Sequence, residues 1–165
     1  MSPRSVGNGA ADFGSAGRLK GMVDMAAMSR YKDPDGPLSI RPGDPRFLSA
    51  LDILAHEMGH QWLAQAKYRD SAGNISSDLL GKDGSHWSYL LDSDASTMYG
   101  SDWVETQPGR FTAERVRAGY SPLDLYLMGF VSKDQVPPFS LLHSPGADPT
   151  ALPVAGAEID ATAAT

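Results

Sequence analysis

The chain has 165 residues, no cysteine and a formal net charge of −6, to which 16 aspartates and only four glutamates contribute. A chain of this length forms about one domain and buries roughly two thirds of its extended surface. The lack of cysteine excludes disulfides, a thiol nucleophile and thiolate metal sites. An acidic balance without any Lys/Arg run argues against a protein that binds nucleic acid through its phosphates.

The two ends of the chain carry little hydrophobic pattern. Residues 1–17 are rich in Gly, Ala and Ser and indicate a loose segment, and 145–165 indicates an Ala/Pro/Gly-rich tail or the start of a further segment, which leaves 18–144 as the predicted domain. "MSPRSVGNGAADFG" has no apolar core after its basic residue, so it lacks the pattern of a signal peptide, and no apolar run is long enough to cross a bilayer. We therefore expect a piece of a longer precursor, truncated at both ends.

The strongest predicted element is a helix over residues 45–68, preceded by a possible strand at 18–28. Asp44 suits the N-cap and Pro45 the first helical position. Apolar residues recur every three or four positions and predict one buried stripe: Phe47, Leu51, Leu54, Met58 and Trp62. The turn sequence "DSAGN" (70–74) is expected to end the helix.

Two shorter regions follow. "SHWSYLLDSDASTMYGSDWVE" (85–105) mixes aromatic and small residues with turn signals and predicts short strands or a hairpin. "YSPLDLYLMGF" predicts a short helix in which Ser121 is the N-cap, Pro122 the first helical residue and Asp124 the second half of a capping box. Gly129 would end this helix.

Two of the four histidines stand in the motif "HEMGH", residues 56–60. In a helix, residues i and i+4 lie on the same face, so His56 and His60 can direct two imidazoles at one point, as a tetrahedral zinc ion requires. Glu57 is rotated by about 100° from His56. It is therefore placed to hydrogen-bond a metal-activated water as a general base rather than to bind the metal.

The composition of the chain bears on whether this motif is a coincidence. With four histidines and four glutamates available, an accidental His-Glu-x-x-His is expected about 0.002 times per chain. The alternative interpretation is an ordinary helix with two surface or core histidines. That alternative would also have to account for the apolar residues on either side, so we interpret His56 and His60 as zinc ligands and Glu57 as the catalytic base.

Through "HEMGH" the chain resembles the zincin metallopeptidases. The resemblance implies that the two histidines bind zinc and that the glutamate polarises the attacking water. It also implies an α+β fold class, a zincin-like catalytic domain with the active-site helix packed on a small sheet. Zn²⁺ is the cofactor expected on this basis.

A looser similarity extends to "STMYGSDW" (96–103). This stretch resembles the Met-turn region of the metzincins, and especially that of the secreted immune-inhibitor-A-type peptidases. The resemblance implies that Met98 forms the floor of the metal site. The recognisable part covers residues 56–103, less than a third of the chain.

The chain departs from the metzincin pattern after His60. A metzincin helix stops at a glycine three residues after the second histidine, and the third ligand follows three residues later, but these positions are Leu63 and Ala66 here. Ala66 cannot bind a metal, and "HQWLAQA" favours continuation of the helix. The third ligand is therefore expected elsewhere. His86 is the first choice, because a third imidazole commonly completes catalytic zinc, and Asp124 is the alternative, although a capping box would use the same carboxylate.

Two tyrosines and two acidic loops are further candidates for a functional role, on weaker grounds. Tyr99 and Tyr126 could each donate a hydrogen bond to the oxyanion of a tetrahedral intermediate, and both could equally be packing residues. "DSDAS" and "DPDG" carry the spaced carboxylates of calcium loops without the rest of that pattern. They fit turns better, although bound Ca²⁺ is a second possible cofactor.

The function predicted from these observations is that of a zinc-dependent endopeptidase acting on a protein or peptide substrate. Two alternatives stay open: a zinc hydrolase of another amide, such as a cell-wall peptide, and an inactive zincin-fold binding module. No nucleic-acid partner is expected, and the sequence does not indicate an oligomeric state. The predicted location is extracellular or periplasmic, as part of a longer precursor.

Overall fold

The computed structural model describes residues 23–25, 50–115 and 119–164. The predicted loose segment 1–17 lies outside these ranges, as do the helix start at Asp44 and Pro45 and most of the strand predicted at 18–28. The chain divides into two units, residues 1–61 and residues 62–165. Each unit is described by itself.

In the first unit, helix α1 covers Ala50–Gly59 and carries the histidine motif. The predicted buried stripe is wrong, because Leu51 and Met58 are 47% and 46% exposed. The buried side chains of α1 are instead those of Ile53 and His56, which are three residues apart and therefore share a face. The face that is withdrawn from solvent is thus the one that carries the first histidine.

The predicted continuation of the helix to residue 68 is also wrong, since α1 ends at Gly59. Ala64 has a φ angle of 53°, which a right-handed helix cannot contain. Leu63 and Ala64 have no exposed surface and pack in a cluster with Trp87 and Met98. Burial of these two residues outweighs the weak helix propensity of the segment, because propensity differences amount to only tenths of a kcal/mol per residue.

The second unit consists mostly of β structure. Its strands are β1 (Tyr68–Arg69), β2 (Ile75–Ser76), β3 (Trp87–Asp92), β4 (Tyr99–Gln107), β5 (Arg110–Arg115), β6 (Leu141–His143), β7 (Glu158–Asp160) and β8 (Thr162–Ala164). β1 and β2 form a small hairpin across "DSAGN", where Asp70 Oδ1 accepts a hydrogen bond from Asn74 N at 2.7 Å. The other six strands form one sheet in the order β7-β5-β4-β3-β6-β8.

The predicted α+β zincin-like fold class is therefore wrong. Within the described ranges there are two α-helices, of ten and six residues, beside eight strands. Neither helix has the length of the predicted active-site helix, and none of the described helices is long and apolar enough to span a membrane. Most strands are too short to give a clear two-residue alternation, so the helical period near residue 50 dominated the sequence pattern.

The six-stranded sheet closes on itself. β7 pairs with β5 and β8 pairs with β6, at opposite ends of the hydrogen-bonded order, yet a single residue, Ala161, separates β7 from β8. Because consecutive Cα atoms are only about 3.8 Å apart, the two outermost strands are adjoining halves of one stretch, 158–164. Part of the predicted tail 145–165 thus forms the segment that closes the sheet.

Two hydrophobic clusters occupy this unit. The first, here called the ring cluster, draws on β3, β4, β5, β6 and the residue between β7 and β8: Tyr89, Leu90, Trp103, Phe111, Ala113, Leu142 and Ala161. The second, here called the Met98 cluster, joins the chain after α1 to the beginning of the sheet: Leu63, Ala64, Leu79, Trp87, Leu91 and Met98. The aromatic and aliphatic residues that looked like one sequence pattern between 85 and 105 are therefore divided between two cores.

The strands predicted within 85–105 are confirmed as β3 and β4, but they pair in parallel, so the predicted hairpin is wrong. The short connection between them turns through left-handed backbone at Asp94 and Ala95. Gly100 also has a positive φ, and a Cβ at this position would collide with Ser93. Such a turn lets the chain return and run in the same direction within a few residues, a connection that sequence rules reserve for longer crossovers.

The short helix predicted near residue 122 is confirmed as α2, Pro122–Leu127. Ser121 Oγ accepts a hydrogen bond from Asp124 N, and Asp124 Oδ2 accepts one from Ser121 N, so both halves of the capping box are present. Gly129 follows the helix with a φ of 80°. Local side-chain chemistry determines this element, and the sequence shows that chemistry directly.

Candidate metal centre

The histidine motif begins on α1 and ends just beyond it. His56 is buried within the helix, and His60 is half-buried in the turn directly after Gly59. Their ring centroids are 4.9 Å apart and the ring planes lie at 87° to each other. Glu57, between them in sequence, is half-buried on the same helix.

His86 lies in the second unit, two residues after the 3-10 helix Lys82–Gly84, and is buried. Its Nδ1 is 2.9 Å from the backbone carbonyl oxygen of Lys82. A carbonyl oxygen only accepts, so Nδ1 carries the hydrogen and donates it. In the neutral ring Nε2 then holds the lone pair, and a backbone carbonyl acting on the other nitrogen is the usual arrangement behind a histidine that binds a metal.

The ring of Tyr99 stacks on that of His86. The two centroids are 4.4 Å apart and the planes differ by 15°. Tyr99 is buried and has a φ of 76°, a backbone conformation that a bulky side chain rarely adopts. Strain of this kind persists where the surroundings hold the residue in place and often marks a functional region.

The three histidines form one group. Nitrogen atoms of His56, His60 and His86 all lie within 4.8 Å of one another, and the group could hold a metal ion. Imidazole nitrogens are ligands that several divalent transition metals accept, zinc among them.

The alternative third ligand, Asp124, is not part of this group. It has no exposed surface, and its carboxylate accepts hydrogen bonds from Trp87 Nε1, Ser96 Oγ and Ser121 N. Burial raises the pKa of the neighbouring Tyr120 hydroxyl, and the charge of Asp124 adds to this shift. The Asp124 carboxylate is thus committed to donors of the protein itself.

The other predicted site residues differ in how far their side chains are exposed to solvent. Met98 has no exposed surface and belongs to the Met98 cluster, whereas Tyr126 is 42% exposed on α2. "DSDAS" does not form a group of three or more metal-ligand side chains in the part of the chain that the structure describes, and "DPDG" lies outside that part. His143 is exposed on β6.

Two residues that bond to Asp124 were not predicted from the sequence as parts of the site. Trp87 and Ser96 both bond to Asp124, from 37 and 28 positions away in the chain. No short motif spans such separations. The only available signal was the capping box at Asp124, which shows one of the bonds of this carboxylate and not the other two.

In comparisons with known proteins, no family model matches the chain, nor does any curated protein or solved structure. What the site can do chemically therefore follows from its own residues.

Proposed function

We propose that this chain is a zinc-dependent metallopeptidase, or the catalytic part of one. The observation that carries the proposal is the convergence of three histidine nitrogens within 4.8 Å of one another. His56, His60 and His86 would hold the ion. When bound, zinc supplies a Lewis acid that polarises a carbonyl group and lowers the pKa of a water molecule.

Glu57 is the base in this proposal. Its carboxylate takes a proton from the attacking water as the water oxygen bonds to the carbonyl carbon of the substrate. When the C–N bond breaks, the same proton passes to the leaving amine, so Glu57 ends in its starting state. Its place between the two histidines in sequence and its partial burial on α1 support this assignment.

The surroundings of His86 add independent support. The bond from its Nδ1 to the Lys82 carbonyl selects the tautomer that presents Nε2, and the Tyr99 ring restricts rotation of the imidazole. Both contacts reduce the conformational freedom that His86 would otherwise lose on binding an ion.

The first test is zinc content. Zinc per chain would be measured by elemental analysis after purification without chelator or added metal, for the unaltered chain, His56→Ala, His60→Ala and His86→Ala. His143→Ala is the matched control, because His143 is an exposed histidine on the closed sheet. We expect roughly one zinc ion per chain in the unaltered protein and in the control, and loss of zinc in the other three variants.

The second test is the substrate. Casein and cell-wall fragments would be incubated in parallel with the zinc-loaded protein. Cleavage of casein that stops on zinc removal supports the peptidase. Zinc retention in all three histidine variants, or no zinc even after reconstitution, contradicts the proposal. Cleavage of cell-wall fragments alone would reassign the substrate while keeping the metal chemistry.

A further inference from the structure

The carboxylate of Asp124 does more than cap α2. The capping box uses one bond, from Ser121 N to Oδ2 at 2.8 Å. Two more donors come from outside the helix: Trp87 Nε1 donates to Oδ1 at 2.8 Å, and Ser96 Oγ donates to Oδ2. A carboxylate without exposed surface requires such partners, and here they come from the first residue of β3 and from the connection between β3 and β4.

These bonds form a closed circuit. Ser96 Oγ also accepts a hydrogen bond from Met98 N at 3.0 Å, and Met98 O accepts one from Trp87 N at 2.9 Å. Starting at Asp124, the path runs through Ser96, Met98 and Trp87 and returns to Asp124. The circuit therefore fixes the start of β3 relative to the chain that enters β4.

The circuit adjoins the two stacked rings. His86 immediately precedes Trp87, and Tyr99 immediately follows Met98. The backbone positions from which both rings project are thus held by bonds that converge on one carboxylate. The Lys82 carbonyl and the stacking contact then set the orientation of the imidazole itself.

We infer that Asp124 is a positioning residue for the histidine group: by holding Trp87 and Ser96 it directs Nε2 of His86, without binding the metal itself. This inference rests on the proposed function for its effect on the metal. The effect of Asp124 on the His86 ring itself can be measured in the metal-free protein.

The test compares metal affinity in the full chain, Asp124→Asn and Ser96→Ala. Asparagine has the shape of aspartate, but its amide nitrogen cannot accept, so at least one of the three donors loses its partner. Affinity for Zn²⁺ would be measured by competition with a chromophoric chelator, and site geometry by the absorption spectrum of bound Co²⁺. We expect an affinity about 10- to 100-fold lower in Asp124→Asn, and a smaller loss in the same direction in Ser96→Ala.

The matched control is Leu142→Ala, which removes a buried side chain from the ring cluster and lowers the melting temperature without touching the circuit. Its affinity per folded molecule should equal that of the unaltered chain. Equal losses in Asp124→Asn and Leu142→Ala would reduce Asp124 to a general stabiliser and overturn the inference. Unchanged affinity in Asp124→Asn would overturn it as well.

A metal-free measurement separates this inference from the proposed function. Nitrogen NMR of the His86 ring should show the single Nδ1–H tautomer in the unaltered apoprotein and a mixture in Asp124→Asn or, if that variant does not fold, in Ser96→Ala. If the unaltered chain binds no metal, the proposed function fails, and the tautomer then decides the positioning role by itself. A ring unaffected by both variants contradicts that role.

Discussion

The two buried tryptophans of the sheet, Trp103 and Trp87, use their indole nitrogens differently. Trp103 Nε1 donates to the backbone carbonyl of Tyr89 at 2.9 Å, inside the ring cluster. Trp87 Nε1 donates to the carboxylate of Asp124 at 2.8 Å, at the border of the Met98 cluster. One acceptor belongs to the main chain and the other to a single side chain that is 37 positions away.

The two indole hydrogen bonds depend on different features of the chain. A backbone carbonyl is present whatever residue stands at the position, so the bond of Trp103 depends only on the fold. The bond of Trp87 depends on the identity of Asp124, and hydrogen bonds to charged groups contribute about 1.5–3 kcal/mol against about 0.5–1.5 kcal/mol for neutral ones. We interpret both clusters as sources of stability, and the Met98 cluster as the support of His86 in addition.

The largest expected effect is that of replacing Glu57, which tests whether hydrolysis depends on the histidine motif. Glu57→Gln should lower the rate of peptide hydrolysis by about 10²- to 10⁴-fold, because the amide cannot take a proton from water. Zinc content should not change. The measurement is turnover of a quenched peptide beside elemental analysis, with Glu114→Gln, an exposed glutamate on β5, as control. Equal activity in Glu57→Gln and its control would remove Glu57 from the mechanism.

Truncating a buried side chain should have different consequences in the ring cluster and in the Met98 cluster. Phe111→Ala in the ring cluster should lower the free energy of unfolding by about 3–5 kcal/mol, and Met98→Ala in the Met98 cluster by about 2–5 kcal/mol. Only Met98→Ala should also weaken zinc binding per folded molecule, because the Met98 side chain packs in the same cluster as Trp87, the residue that follows His86. Urea unfolding and metal titration measure the two quantities. Equal losses of zinc affinity in Phe111→Ala and Met98→Ala would contradict the different roles assigned to the two clusters.

The two tryptophans allow a closer test, since the same substitution removes the same volume from each site. Trp87→Phe leaves a carboxylate oxygen of Asp124 short of one donor, and Trp103→Phe leaves the Tyr89 carbonyl short of one. The hydrogen-bond part of the destabilisation should be about 1.5–3 kcal/mol for Trp87→Phe and about 0.5–1.5 kcal/mol for Trp103→Phe. Urea unfolding curves show which of the two variants is destabilised more. A reversed order would show that the charged acceptor adds no stability.

The smallest effect concerns Asp92, whose Oδ1 accepts a hydrogen bond from Trp103 N. Burial raises the pKa of Asp92 from 3.8 to about 6, the bond from Trp103 N opposes this, and the charges of Asp94 and Asp102 add to it. Between these two values the folded state binds more protons than the unfolded state, so stability falls as pH rises through the window. With solvent screening at this half-buried site, the fall due to Asp92 should be about 1 kcal/mol.

Asp92→Asn checks this contribution, because asparagine keeps the acceptor for Trp103 N and does not titrate. Unfolding free energies at pH 4 and pH 7 should differ less in Asp92→Asn than in the unaltered chain. An identical difference in both proteins would assign the pH dependence to other carboxylates.

The sequence was a good guide where the determining contacts are local. The α2 capping box joins residues three positions apart, so its residue types alone predict the helix and its first turn. The His56–His60 spacing likewise predicts that two imidazoles can approach each other, and His86 was the expected third member of the group that the structure brings together.

The sequence was a poor guide where distant contacts outweigh local preference. The apolar period around α1 predicts a longer helix and a different buried face, but the helix ends at Gly59, and Leu63 and Ala64 enter a core formed with residues at least 15 positions away. The closure of the sheet was equally invisible, because the pairs between β5 and β7 join residues nearly fifty positions apart. Periodicity reports which side chains prefer burial and not what they will be buried against.

The stretch 158–164 also has a consequence for behaviour at high concentration. Its two halves pair with β5 and β6, the strands that would otherwise be the rims of an open sheet. Unpaired rims are templates on which a second chain can add, and proteins suppress such association by covering them or keeping them very short. Because each covering half is only three residues long, the chain offers little backbone for another molecule to extend. Seven residues therefore cover both rims, and among them Ala161 is buried in the ring cluster and Ile159 packs against it.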